Sequence, residues 1–189
     1  MNYINETEKI FNSLEKWNAY LELIEIKRDI ISKWYNDLEE SIKNKVNEIE
    51  HINDWKFIHY DINEFGWYLN GYEEGSITIF NEYNQLNIWV NGNKFNTNDI
   101  LFKYKDSKLF NSYFNEADEI GINNSYLAKS KRVSINGIRD YDSLAYYANK
   151  EKKEHIILTK IISDFFIHFM NDPEIIGIIR NINEDIKLQ

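Results

Sequence analysis

The sequence predicts an α+β fold: a long N-terminal helix with a heptad seam, a central antiparallel sheet of about four or five strands, and C-terminal helices covering one sheet face. Three observations predict it. Apolar residues recur at heptad spacing through positions 1–50. Short alternating runs punctuated by glycine fill 51–105, and a helical period returns over 106–189. No internal repeat or low-complexity linker divides the chain, so its 189 residues read as a single domain.

Ile10, Leu14, Trp17, Leu21, Ile24, Ile31, Tyr35, Leu38, Ile42 and Ile49 form the a/d seam, interrupted by Arg28 and Lys45. Neither Gly nor Pro occurs before Gly66. The chain therefore permits a helix of about 40 residues, on the order of 60 Å long. Such a rod must bury its stripe against a folded-back helix, the rest of the chain or a second protein, so it argues for contact rather than chemistry.

From Trp55 the period shortens, and Gly66, Gly71, Gly75 and Gly92 punctuate the chain, with Asn-Gly pairs at Asn70-Gly71 and Asn91-Gly92. Ile77 and Ile79 share one face of the run Ser76 to Phe80. Leu86, Ile88 and Val90 share one face of the next, and Asn81 to Gln85 supplies a turn between them. Trp55 to Tyr60, Gly66 to Leu69 and Ile100 to Tyr104 complete the expected sheet.

Beyond Asp106, Ser107 to Ile120 reads as a short helix stopped by Gly121, and Ile122 to Arg139 as irregular. A long helical pattern runs from Tyr141 to Met170, with Leu158, Ile161, Ile162, Phe165 and Phe169 as a wide apolar stripe. Asp172 followed by Pro173 is an N-cap with proline at the first helical position, opening a final helix through Ile175, Ile179, Ile182 and Ile186.

Composition bounds the function. With no cysteine there is no disulfide framework, thiolate nucleophile or cysteine-bound zinc. Met1 to Thr7 has no basic region leading into an apolar one, so no signal peptide is expected. The apolar-rich stretch Ile156 to Met170 is broken by Thr159, Lys160, Ser163, Asp164 and His168, and is too short for a bilayer span. The expectation is a soluble, cytoplasmic protein without membrane contact. Heavy use of Ile, Asn and Lys against one Pro fits AT-rich coding, hence a bacterial cytoplasm, or that of the host if the chain is phage-encoded. The 31 acidic and 22 basic side chains give a net charge of -9, spread along the chain, which argues against direct nucleic-acid binding and favours a basic partner.

Candidate chemistry is sparse. Glu25-Ile26-Lys27 in the run Leu21 to Asp29 resembles the metal-binding core of PD-(D/E)XK nucleases. The resemblance implies a carboxylate on Mg²⁺ and a lysine that positions the attacking water. The upstream Asp of that motif is missing, since no Asp precedes Asp29, and Leu21 and Ile24 fit the helical seam better than a strand. Asp164 and His168, and Glu151 and His155, stand four residues apart, the spacing of half a metal site, and each pair needs ligands from elsewhere. HExxH, GxxxxGK[ST] and GxGxxG are all absent. No catalytic residue, metal or cofactor is expected.

The more informative groups are aromatic and acidic. Trp67, Tyr68, Tyr72, Phe80, Tyr83 and Trp89 lie among Glu64, Glu73, Glu74 and Glu82, and rings beside acids suit a basic protein surface. Asn70 to Gly75 is the turn most expected to protrude. Lys129, Lys131 and Arg132, with Arg139 nearby, form a basic cluster able to grip phosphate or an acidic partner. The partner-binding candidates are therefore Trp67, Tyr68, Tyr72, Glu73, Glu74, Trp89, Lys129, Lys131 and Arg132.

These features favour a noncatalytic, acidic inhibitor or immunity-type protein that blocks or locks a basic nucleic-acid-processing enzyme, in an anti-CRISPR-like or antitoxin-like role. The alternative is a metal-dependent, nuclease-like or nucleic-acid-binding accessory protein using Glu25 and Lys27, or Asp164 and His168, with the Lys129 to Arg139 segment. A third arrangement is a homodimer through the N-terminal helix.

Overall fold

A computed structural model describes residues 11–115, 118–121 and 125–185. Met1 to Thr7, Ile10 of the seam, Ile122 and Ile186 lie outside the described residues. The order is a long helix, four strands, two short helices, two further strands and three helices, an α+β arrangement as expected.

Helix α1 (Leu14–Val46) runs 33 residues, about 50 Å. Ser13 caps it by accepting from the Lys16 amide. Its seam divides in two. Tyr35, Leu38, Ile42 and Val46 are buried, whereas Leu14 is 74% exposed and Trp17, Leu21 and Ile24 are also open. The stripe therefore meets the body of the protein only from Ile31 onward. At its start Phe11 packs on Trp17 and Tyr20, with ring centroids 5.4 and 4.7 Å away.

The sheet comprises β1 (Trp55–Asp61), β2 (Glu64–Leu69), β3 (Thr78–Glu82), β4 (Gln85–Trp89), β5 (Glu119–Ile120) and β6 (Tyr126–Lys129). Their order is β1-β2-β3-β4-β6-β5, and every pairing is antiparallel. The β3–β4 hairpin is tighter than the run spacing suggested. Tyr83 and Asn84, at φ 50 and 61°, form a two-residue turn. Left-handed values at both positions match the strand twist, and asparagine tolerates them well.

Four segments depart from the sequence reading. Ile100 to Tyr104, expected as a strand, belongs to helix α2 (Thr97–Tyr104), because the Asn96 side chain accepts from the Asn98 and Asp99 amides and starts a helix there. Among the described residues of Ser107 to Ile120, only α3 (Lys108–Asn111) is helical, while Glu119–Ile120 is the edge strand β5. The irregular segment contains β6, which satisfies the free edge of β4 and accounts for the sixth strand. The pattern from Tyr141 to Met170 is split into α4 (Tyr141–Ala148) and α5 (Lys153–Met170). Asn149 adopts an extended conformation, and its side chain and carbonyl take the Glu151 and Lys152 amides, which stops the first helix.

The last helix, α6 (Pro173–Asp185), starts where Asp172 accepts from the Glu174 and Ile175 amides. Strand register divides the sheet into two faces. Phe57, Phe65, Trp67, Ile79, Leu86 and Ile88 share the face that receives α5, where Phe166 packs on Phe65 and Trp67. Helix α1 packs in turn along α4 and α5. Behind the two hairpin turns lies a fully buried amide cluster. Asn81 donates to the Asn63 carbonyl and side chain, Asn63 donates to Asn84, and Asn84 donates to the Tyr35 hydroxyl. Among the described residues no helix is long and apolar enough to cross a membrane.

Candidate interaction surface

The register also fixes what the opposite sheet face carries. Because Gly66 pairs with Phe80, Tyr68 with Thr78, and Thr78 with Trp89, these residues share the face turned away from α5. Lys56, Glu64, Glu82, Tyr126 and Lys129 lie on it too. Alternation along β1 from Lys56 through Ile58 puts Tyr60 on the same face, where its ring meets Phe80 at 5.7 Å and Trp89 at 6.1 Å. The Phe80 ring lies across β2, and only glycine at 66 allows this, since a Cβ there would stand 2.9 Å from Phe80 Cδ2.

Three tyrosine hydroxyls on or beside this face engage carboxylates. Tyr126 donates to Glu82 Oε1 at 2.8 Å. Tyr83 is pushed up to about 12, chiefly by its hydrogen bond to Glu64 and then by burial. Tyr60 is also pushed up to about 12, by burial first and then by the Glu74 charge and hydrogen bond. These tyrosines remain protonated through the physiological range, so each is available to a neighbouring carboxylate as a donor.

Structure sorts the sequence candidates. Trp67 is only 2% exposed and faces the core against Phe166, with centroids 4.5 Å apart, so its ring is core packing and lies outside the reach of a partner. Tyr68 is on the outer face but buried, with Lys56 Nζ 5.7 Å from its ring. Tyr72 is half-buried and donates to Glu184, which ties the acidic turn to α6. Glu73 pairs with Lys94 at 2.9 Å, and Lys94 also donates to the Glu74 carbonyl. Glu74 is exposed, and Trp89 is half-buried on the outer face. Tyr60 and Tyr126 were absent from the sequence candidates. For Tyr60 the signal was parity with Lys56 and Ile58 along β1, whereas Tyr126 reaches this face through the register shift opposite Ile88 and Trp89.

The basic cluster does not act as one loop. Lys129 belongs to β6 and pairs with Glu82 at 3.2 Å on the outer face. Lys131 is exposed, and its backbone amide donates to Asp118. Arg132 is half-buried, with its Nε shut from solvent and without a hydrogen-bond partner.

The residues of the alternative reading are placed apart. Glu25 and Lys27 project from the exposed half of α1, and Lys27 bonds Asp142 at 2.5 Å. Asp164 pairs with Lys160, and His168 bonds the Ser112 hydroxyl at 2.9 Å. His155 is buried, with its two ring nitrogens 2.6 Å from the Ala148 carbonyl and 3.0 Å from the Ser41 hydroxyl. Among the described residues no three His, Asp or Glu side chains converge as metal ligands. A cleft of about 360 Å³ opens where α1 leaves the body, lined by Arg28, Ile31, Asp61, Tyr83, Tyr141 and the Lys27–Asp142 pair. Its two cations, Lys27 and Arg28, face two carboxylates, Asp61 and Asp142.

No family model, curated protein or solved structure matches this chain.

Proposed function

We propose that this protein is a noncatalytic, acidic inhibitor of the immunity type that docks the outer face of its sheet onto a basic, nucleic-acid-processing enzyme. One observation carries the reading: the sheet face turned away from α5 presents half-open aromatic rings beside carboxylates engaged by tyrosine hydroxyls. A surface that binds phosphate backbones is basic, and a net charge of -9 steers toward such a surface. Rings would then anchor the contact after diffusional capture, and the docked protein would occlude the nucleic-acid path.

The test is affinity capture of the tagged protein from cells of its natural host, with and without nuclease treatment, beside a Trp89→Ala/Glu74→Lys variant. The reading expects a stoichiometric basic partner that survives nuclease, weakens as salt screens the charges, and is lost with the variant. A wild-type protein that retains no partner, or one whose partner disappears with nuclease, overturns it.

A further inference from the structure

We propose that the corner where Tyr60, Phe80 and Trp89 meet Glu74 is a binding site for one cationic side chain, arginine before lysine. The proposal rests on the docking reading above and names what that face would hold.

The three rings pack as one cluster, with Tyr60 edge-on to Phe80 at 72° and to Trp89 at 64°. Phe80 is 5% exposed, while Tyr60 is 43% exposed and Trp89 half-buried, leaving ring surface open to a ligand. Ring faces carry negative quadrupole potential, and an open ring face attracts a cation. Glu74 supplies the full charge, with its carboxylate beside the Tyr60 hydroxyl. Among the described residues no cation pairs with that carboxylate: Lys94 takes the Glu73 carboxylate and only the backbone carbonyl of Glu74.

The same sheet face already contains a filled example. At Tyr126 the hydroxyl donates to Glu82 Oε1, and Lys129 Nζ stands 4.5 Å from the ring centroid and 3.2 Å from Glu82 Oε2. Ring, tyrosine-held carboxylate and cation form one unit there. The Tyr60 corner has the first two members and an additional pair of rings, and it lacks the third. A guanidinium fits better than an ammonium, because it is planar, weakly hydrated and able to stack on Trp89 while its edge donates to Glu74.

The probe is acetyl-Gly-Arg-Gly-amide titrated into the full-length protein at low ionic strength, with the isosteric, neutral citrulline peptide as control. The readout is the Trp89 indole N–H and Tyr60 ring resonances by NMR. Saturable shifts with the arginine peptide, none with citrulline, and at least a tenfold weakening by Glu74→Gln in a variant whose remaining spectrum is unchanged are the expected result. Equal shifts with citrulline, or arginine shifts that persist in both Glu74→Gln and Tyr60→Ala, overturn the site. The two proposals fail separately. A captured partner that binds Tyr60→Ala normally removes the cation site and leaves the docking reading. Arginine binding at the corner without any captured partner does the reverse.

Discussion

Replacing Gly66 by alanine places one methyl group where the structure leaves no room. The added Cβ would lie 2.3 Å from the Ile79 carbonyl oxygen, 2.9 Å from Phe80 Cδ2 and 3.1 Å from Phe80 Cα. Alanine gains roughly 0.5–1 kcal/mol over glycine in a strand by losing less backbone entropy. Against this, overpacking costs about 1–3 kcal/mol. The carbonyl cannot retreat without loosening the β2–β3 ladder, where Gly66 pairs with Phe80, and a lost ladder bond costs about 1 kcal/mol. The net is a destabilisation of about 2 kcal/mol. At a urea m-value of roughly 2 kcal/mol/M the unfolding midpoint drops by about 1 M. Urea unfolding followed by far-UV circular dichroism reads this directly, and an unchanged or higher midpoint would refute the close-approach argument. Gly71→Ala is the control. It meets nothing within 4 Å but holds φ +93°, so its cost is backbone strain of about 1–2 kcal/mol, without effect on the Phe80 ring.

Truncations along α1 should report how far its seam is used: Ile42→Ala costs about 2–5 kcal/mol in chemical unfolding, whereas Leu21→Ala, at an exposed seam position, costs under about 1 kcal/mol. Comparable losses at both sites would mean that the N-terminal half is packed as well. Asn63→Ala removes hydrogen bonds from the buried amide cluster and a residue at φ 59°, so thermal unfolding should show a loss of about 2–4 kcal/mol, with Asn63→Gly recovering only the backbone part. Asp172 is held below the ordinary carboxyl value by its hydrogen bond from Lys108, helped by the Ile175 and Glu174 amides. Its folded-state value is depressed, so its contribution is present above about pH 4 and is lost as pH falls through the lower folded value. Asp172→Asn keeps the cap acceptor and removes the charge. The variant should be less stable than the parent at neutral pH and converge with it near pH 2, and a gap that stays constant with pH would exclude the linkage.

The elements and their types were legible wherever the chain carries a long period or a strong cap. The α1 heptads, the Ile77/Ile79 and Leu86/Ile88 alternation, and Asp172-Pro173 each specify local structure through residues close in sequence. Where local signals competed, the short-range cap prevailed. Asn96 turned an apolar run into α2, and Asn149 divided one apparent helix in two. β5 and β6 carry too few residues for a period to show, and they exist because the β4 edge needs hydrogen-bond partners from a distant part of the chain.

The candidate surface was half legible. The sequence placed rings and acids in one segment, and Trp89 and Glu74 remain in the proposed site. It could not say which rings face the core, because a one-residue change of register exchanges the two sheet faces. That register sends Trp67 inward to Phe166 and leaves Trp89 outward, and alternation along β1 adds Tyr60 to the same corner. By itself the sequence determined the fold class, the excess of acid and the absence of thiol chemistry, since periodicity and composition are local or additive properties. Tertiary structure alone decided which half of the α1 seam is buried, which cation Glu82 holds, and that Glu74 pairs with no cation among the described residues. Those outcomes depend on side chains far apart in the chain meeting at a few ångströms.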